Sequence, residues 1–283
     1  MRCTGAAING LVIVSLAALS DHSYGIAKPE NLSPMSKPVD SAVRLNQRIV
    51  TKTVRHDLFS IFSLVAFTLV FAGFARTFFL RSLFTSVGMP VYLYVHGLLF
   101  SGWFVLFFVQ SRLIAFQRVD LHRRLGMLGA GLAGLAVPVA IGVAIHAGKR
   151  VYETQSKPFS VEAPPLALDF GACLAFTVFI GLALYFRRRG EVHKRLMLLG
   201  SSSILLPALG RIPGLFGRGG LWGLVGFAEI VPLYFIVFDS VRCRRLHPAF
   251  GWGGLGIVLS WPAFLLVGTT QFWLRIVEWL VRV

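Results

Sequence analysis

The sequence predicts an all-α fold: a polytopic transmembrane helical bundle of about seven spans, with an internal parallel repeat of helix pairs. Three observations support this prediction. Of the 283 residues, 55% are hydrophobic and only 14% are charged, and the mean hydropathy of +0.72 is above that of ordinary water-soluble domains. Long apolar runs recur along the chain. Lys and Arg gather in alternate connections between these runs.

Each apolar run is about as long as a helix needs to be to cross a bilayer, since a helix rises 1.5 Å per residue. The seven predicted spans are 58–80, 91–114, 125–146, 166–186, 196–214, 221–238 and 253–267. They define a transmembrane domain over 58–267. Within the fifth span, Pro207 and Gly210 are expected to break the helix.

Residues 1–57 are expected to form an N-terminal tail or signal-like extension that is mostly disordered. Arg2 and the apolar run that follows it have the layout of a signal peptide. The basic residues between 28 and 55 instead favour retention on the cytoplasmic side. A third alternative is that translation starts at Met35, and the sequence leaves all three open.

Basic residues are distributed unequally between the two sides of the predicted bundle. One set of alternate connections carries sixteen Lys and Arg residues and the other carries nine. The positive-inside rule therefore predicts a bacterial inner (plasma) membrane protein with a cytoplasmic N-terminus, whose partners are the lipid bilayer and anionic lipid headgroups. Nucleic-acid binding is excluded despite the net charge of +16, because the 25 Phe residues lie inside apolar runs.

The last segment, 268–283, is predicted to be an amphipathic interfacial helix. Its polar residues Gln271, Arg275, Glu278 and Arg282 are spaced by four, three and four positions, which places them on one helical face. The alternative is that the segment extends the last span.

A hidden repeat relates two connections. The sequence RVDLHRRLGMLG (118–129) aligns without gaps with RGEVHKRLMLLG (189–200), with six of twelve positions identical. Spans two and three are therefore expected to repeat as spans four and five in parallel orientation. His122 and His193 become equivalent and lie at the same depth.

Both copies place cations in the first turn of a helix, where the helix dipole disfavours them. These residues are Arg123, Arg124, Lys194 and Arg195. Topology alone is one explanation for them. A bound anion or lipid headgroup, held by these residues, is the other.

Polar residues inside the predicted spans mark a second candidate site, because ionisable groups in the membrane usually face the bundle interior. Glu229 lies in the middle of the sixth span, Arg211 lies near the outer end of the fifth, and Asp169 opens the fourth. We expect Arg211 to pair with Glu229 in a cavity that His96 also lines. The alternative is a structural ion pair without a ligand.

One face of the second span carries His96, Trp103 and Gln110 at intervals of seven residues. This spacing keeps the three side chains on one side of the helix, so the face is expected to point towards the bundle interior.

The motifs HGLLFSGW (96–103), DLHRRLG (120–126) and HKRLMLL (193–199) resemble those of an uncharacterised family of bacterial multi-pass membrane proteins. This resemblance implies the fold and names no reaction. More loosely, histidines at the ends of bundled helices are similar to those of transmembrane di-haem b-type cytochromes. That similarity implies haem b as a cofactor, with His122 and His193, and His96 and His146, as the candidate ligand pairs.

Three functions remain open from the sequence. The first is a b-type haem or quinone-linked electron-transfer membrane protein. The second is a small-molecule or proton-coupled transporter that uses the Glu229 and Arg211 site. The third is a non-catalytic lipid-binding component that assembles with a membrane partner protein. No dedicated metal site is predicted, since there is no HxxxH or CxxC spacing, and no catalytic signature such as GxSxG is present.

Overall fold

The computed structural model describes residues 59–155, 158–212 and 220–282, and in these residues the chain forms helices and no strand. The predicted all-α class is confirmed for this part of the chain, and the predicted extension 1–57 lies outside it. The helices, in chain order, are α1 (Phe59–Phe79), α2 (Val91–Ala115), α3 (Val119–Thr154), α4 (Phe159–Tyr185), α5 (Gly190–Ser203), α6 (Leu206–Leu209), α7 (Gly220–Cys243), α8 (Pro248–Gly268) and α9 (Gln271–Arg282).

Six of these helices, α1 to α4 with α7 and α8, are long and apolar enough to cross a membrane. The prediction of a multi-pass membrane protein is confirmed at this level. Several helices extend beyond the predicted spans; α3, for example, has 36 residues. Hydropathy identifies the segment that fits the hydrocarbon layer, whereas the hydrogen-bonded helix continues into its polar ends.

The predicted fifth span is broken into two helices, as its prolines indicated. Helix α5 ends at Ser203 and α6 begins at Leu206. Pro207 explains the break, because its ring clashes with the carbonyl group four residues earlier, which belongs to Ser203.

The broken pair α5–α6 runs alongside α1 and α7 over most of their lengths. The Lys194 ammonium lies 5.2 Å from the centre of the Phe59 ring, and fourteen residues later Ala208 touches Gly73, so the pair runs parallel to α1. Arg195 pairs with Asp239, and fifteen residues later Gly210 lies beside Leu224, so the pair runs antiparallel to α7.

Two turns join helices at the same end of the bundle and have similar geometry. Residues 116–118 link α2 to α3, and residues 186–189 link α4 to α5. Arg118 and Arg189 precede the new helices, and their carbonyl oxygens accept hydrogen bonds from the backbone N–H groups of His122 (3.0 Å) and His193 (2.9 Å). We call this end of the bundle, together with the turn 244–247, the His–Arg end.

Helix α4 lies at the centre of the bundle, since 61% of its membrane-length window is buried, against 28% or less for the other five. Its neighbours are α3, α5, α8 and α9. Phe176 and Ile180 of α4 lie in the main core with Phe104, Leu199 and Trp261 from the surrounding helices. The side chains of α2 and α5 that face this core are therefore held against a fixed central helix.

Helix α9 is separate from α8, because α8 ends at Gly268 and two threonines intervene. The alternative that this segment simply extends the last span is therefore wrong. Val277 and Val281 are buried, and the Trp273 indole donates a hydrogen bond of 2.8 Å to the Ala163 carbonyl oxygen. Trp279 stays 65% exposed, so the other face remains available for the predicted interfacial position.

The contact between α1 and α6 depends on the absence of a side chain at Gly73. A Cβ atom there would lie 2.2 Å from the carbonyl oxygen of Ala208, whereas a Cβ at Gly134 of α3 meets nothing within 4 Å. We expect Gly73→Ala to destabilise the protein by about 1–3 kcal/mol through overpacking. Gly134→Ala should be neutral or stabilising by up to about 1 kcal/mol, because alanine favours a helix more than glycine does.

Thermal unfolding of the two purified variants in one detergent tests this expectation. Equal melting temperatures for Gly73→Ala and Gly134→Ala would contradict the described contact.

Candidate functional site

The structure brings His122 and His193 together at the His–Arg end. Their ring centres are 6.3 Å apart, and the ring planes are inclined by 82°. One histidine belongs to the first turn of α3 and the other to the first turn of α5. The two turns of similar geometry thus bring the two aligned histidines together.

The two imidazoles differ in their hydrogen bonds. His193 Nδ1 lies 2.8 Å from the carbonyl oxygen of Ala183, which can only accept, so Nδ1 is the donor in this hydrogen bond. His122 Nδ1 is buried and has no partner among the described residues. The backbone of His122 is positioned by Gln110, whose side-chain nitrogen donates to the His122 carbonyl oxygen over 3.2 Å.

Arg195, two residues after His193 on α5, is completely buried and has an acceptor for each of its five N–H groups. Its Nε and Nη2 atoms donate to Asp239 Oδ2 over 2.9 and 2.6 Å, and Nη1 donates to the Glu191 carbonyl and Oε2 oxygens, each over 2.8 Å. The sulfur of Cys243 lies 3.8 Å from Nη2. The Phe250 ring packs against the guanidinium at 5.5 Å.

This arrangement corrects the predicted anion site. Arg195 belongs to a buried ion pair and is not exposed to lipid headgroups, and Lys194 bridges to Glu191 over 2.8 Å. Arg123 and Arg124 are exposed and form no ion pair in the described part of the chain. Two of the four predicted cations thus stay at the surface, where an anion can reach them.

Asp239 is the important residue that the sequence reasoning left without a partner. It lies near the end of α7, 44 residues from Arg195. The sequence did contain a signal for it. Asp239 is a carboxylate in an otherwise apolar segment, at the same predicted depth as the Lys and Arg residues of the aligned motifs. Pairing it with Arg195 requires knowing which helices are neighbours.

His247 is near Arg195 and has a local structural role. Its Nδ1 accepts a hydrogen bond of 3.1 Å from the Ala249 N–H and caps the start of α8. Burial lowers the pKa of His247 below its usual value, and the positive charge of Arg195 lowers it further. A neutral ring that accepts this bond is therefore favoured.

The predicted cavity at the opposite end forms only in part. The Arg211 guanidinium lies within electrostatic range of Asp169 and His96, but its Nη1 donates to the Pro207 carbonyl and its charge lies over Phe74. Both carboxylate oxygens of Glu229 are buried without a partner among the described residues.

The predicted Arg211–Glu229 pair is therefore not formed. The reason is that the two residues lie at different depths in the bundle. Gly210 lies beside Leu224 of α7, and Glu229 lies five residues further along that helix, about one and a half turns deeper.

The structure does not join His96 and His146. His146 stacks on Tyr92 with ring centres 5.1 Å apart, whereas the His96 ring lies 4.7 Å from that of Phe100. Tyr92 precedes His96 by one turn of α2, so the two histidines occupy different depths. No ring contact links them in the described residues.

Trp103 and Gln110, which share one face of α2 with His96, lie against neighbouring helices. The Trp103 indole is 3% exposed, donates to Ser201 Oγ of α5 over 3.3 Å, and meets the Phe176 ring edge-on at 4.9 Å. Gln110 contacts α3 as described above. Trp103 and Gln110 therefore hold this face of α2 against α3, α4 and α5.

No cluster of three or more metal-ligating side chains occurs within the described residues. The chain matches no protein-family profile, no curated protein and no solved structure. The site is therefore interpreted from its own geometry.

Removing one partner of the buried Arg195–Asp239 pair should be strongly destabilising, although the pair as a whole need not add much net stability. Arg195→Met leaves Asp239 buried without a counter-charge and is expected to destabilise the protein by about 3–5 kcal/mol. The double change Arg195→Met with Asp239→Leu should recover most of that loss, because both charges are then removed. Unfolding in detergent, followed by denaturant titration or by heat, measures both effects.

Arg124→Met is the matched control, since Arg124 occupies the aligned position in the first copy and is exposed. It should change stability by less than about 0.5 kcal/mol. A double variant as unstable as Arg195→Met would argue against the ion pair as the cause.

Proposed function

We propose that this protein is a membrane electron-transfer protein in which His122 and His193 ligate a b-type haem iron. The observation that supports the proposal best is the pair of imidazole rings with centres 6.3 Å apart, drawn from two separate helical hairpins. The residues were candidates on sequence grounds, and their proximity is the feature that favours this function over the alternatives.

The ring separation is short enough for both imidazoles to hold one metal ion. With centres 6.3 Å apart, His122 and His193 would each be within reach of an iron bound at this end of the bundle, since a metal–nitrogen bond is about 2 Å long.

The hydrogen bonds around the rings support the same interpretation. Metal-ligating histidines commonly donate their second ring N–H to a backbone carbonyl, as His193 does to Ala183, which leaves Nε2 to bind the iron. His122 Nδ1 is buried and makes no hydrogen bond among the described residues, so it is not already committed to another partner there. Arg123 and Arg124 can hold the propionate carboxylates. When bound, haem supplies one-electron redox chemistry.

The two hairpins are proposed to be a parallel repeat, α2–α3 and α4–α5. The aligned sequences, the similar turns and the equivalent hydrogen bonds to Arg118 and Arg189 support this relation. His122 and His193 are aligned in this repeat and also touch, so a ligand bound between them would contact both hairpins.

We further propose that α5–α6 is a seventh membrane crossing and that the His–Arg end is cytoplasmic in a bacterial inner membrane. The broken pair follows α1 in parallel and α7 in antiparallel orientation between the two ends of the bundle. A broken helix is tolerated in a membrane when other helices cover it, and Ser201, Ser202 and Ser203 are buried. The excess of Lys and Arg at the His–Arg end supports the orientation.

Transport through a site built from Glu229 and Arg211 has less support. The two residues lie at different depths, and no described side chain completes a coordination shell around the Glu229 carboxylate. The histidine pair is therefore the better-formed site.

The haem proposal predicts a visible spectrum. Protein purified in detergent from haem-replete cells should be red, with a sharp α-band after reduction by dithionite. His122→Ala and His193→Ala should each lose the band, because one remaining imidazole cannot provide both axial ligands. His146→Ala should keep it, since His146 stacks on Tyr92 at the opposite end.

A colourless wild-type protein of native fold would contradict the haem proposal. A band that survives in both His122→Ala and His193→Ala would place a haem elsewhere.

The orientation is tested with reporters fused after the C-terminal residue of the full-length chain. With seven crossings and a cytoplasmic N-terminus, the C-terminus lies outside, so fused alkaline phosphatase should be active and fused green fluorescent protein should be dark. The reverse result would contradict the proposed topology.

A further inference from the structure

At the end opposite the His–Arg end, a cavity of about 380 Å³ opens between α1 and the residues after α6. Its lining is formed by Ala72, Gly73, Arg76, Thr77, Phe84 and Arg211. Two of these side chains are cationic and none is acidic. The charge of the lining therefore favours an anion.

Neither arginine forms a direct ion pair with a carboxylate among the described residues. No salt bridge within 4.0 Å involves Arg76 or Arg211 in the described part of the chain. Arg211 uses one donor on the Pro207 carbonyl oxygen, 2.7 Å away, and Arg76 makes no hydrogen bond among the described residues. Most of their N–H groups are left for a ligand.

Aromatic rings hold both guanidinium groups in place. Arg76 lies 4.9 Å from the centre of the Phe84 ring, and Arg211 lies 4.7 Å from that of Phe74. Stacking of this kind fixes the plane of the guanidinium while leaving its edge free to donate. The guanidinium groups of Arg76 and Arg211 are thus partly preorganised before any ligand binds.

The backbone is also specialised at this point. The last turn of α1, Ala75–Phe79, is a π-helix closed by a 2.7 Å hydrogen bond from the Leu80 N–H to the Ala75 carbonyl oxygen. A π-turn of this kind widens a helix and often occurs at functional sites. Here the wide turn carries Arg76 and Thr77 into the cavity wall.

The surroundings place the cavity beside lipid. The connection between α1 and α2 exposes large apolar side chains, with Leu83 74% and Val87 69% exposed. Such side chains favour contact with the apolar part of a bilayer. Two arginines next to them would then lie at the depth of lipid headgroups.

We propose that this cavity binds a phosphate group through Arg76 and Arg211, with the Thr77 hydroxyl as a third donor. Arginine pairs with phosphate through two parallel hydrogen bonds, and two arginines can bind one phosphate from both sides. Asp169, which attracts Arg211 without pairing with it, helps to keep that guanidinium at the cavity. The phosphate is supplied either by a phospholipid or by free phosphate.

The experiment uses full-length protein, delipidated in a non-ionic detergent, with thermal unfolding as the readout. A ligand that binds only the folded state raises the melting temperature, and the stabilisation grows as RT ln(1 + [L]/Kd) with the free ligand concentration. The three probes are dioctanoylphosphatidylglycerol, inorganic phosphate and dioctanoylphosphatidylcholine. The variants are Arg76→Gln and Arg211→Gln, with Arg275→Gln as the control because it removes one exposed charge from α9.

We expect phosphatidylglycerol to stabilise the wild type and Arg275→Gln. Arg76→Gln and Arg211→Gln should each weaken the apparent affinity about tenfold or more, since each removes charge-assisted hydrogen bonds. Stabilisation by phosphatidylglycerol but not by inorganic phosphate identifies a lipid as the source. Stabilisation by inorganic phosphate with the same dependence on both arginines identifies free phosphate.

Two results would overturn the proposal. One is that no phosphate-containing probe stabilises the wild type. The other is that Arg76→Gln responds as Arg275→Gln does. Arg76 is exposed in the last turn of α1, so Arg76→Gln is expected to fold even if Arg211→Gln does not, and it decides the question alone.

Discussion

The buried ion pair between Arg195 and Asp239 is the interaction on which the His–Arg end depends. A guanidinium with no exposed surface is stable in an apolar interior only when its charge and its donors are all compensated. Asp239 and Glu191 provide that compensation, and Phe250 covers the remaining face. The pair fixes the depth of α5 against α7 and α8. It thereby fixes the depth of His193, two residues earlier, and brings that ring to His122.

The opposite end is organised by close backbone contact. Gly73 lets α1 touch the backbone of α6, which sets the position of Arg211 beside the last turn of α1. The helix break before α6 is stabilised locally, because Ser202 and Ser203 donate to the carbonyl oxygens of Leu198 and Gly200 over 2.9 and 2.7 Å. Ser201 accepts from Trp103. Buried hydroxyl groups thus replace backbone hydrogen bonds in a region where water is scarce.

Hydropathy was sufficient to predict the class and most of the helices, because each membrane-length helix is a long apolar run. The meeting of His122 and His193 was also accessible, since the aligned motifs implied equal depth. The predicted depth of a residue in the membrane was not enough to identify the other polar partners. It suggested a pair between Arg211 and Glu229, which lie at different levels, and it left Asp239 unassigned. Such partners depend on which helices are neighbours and on how each helix is rotated, and neither is encoded in one short segment.

The two aligned segments, 118–129 and 189–200, have different surroundings, and the difference is informative. Beside 189–200, α7 passes close enough for Asp239 to pair with the buried Arg195. The aligned Arg124 is exposed, and the Arg118–Asp120 contact of 3.9 Å is open to solvent. The two histidines also differ in their hydrogen bonds. His193 Nδ1 is bonded to the Ala183 carbonyl oxygen, whereas His122 Nδ1 has no partner in the described residues. The two rings are therefore held differently, although the aligned motifs have histidine at both positions. The difference follows from the neighbours of each helix, because in the described part of the chain only His193 lies beside a backbone carbonyl that its Nδ1 can reach.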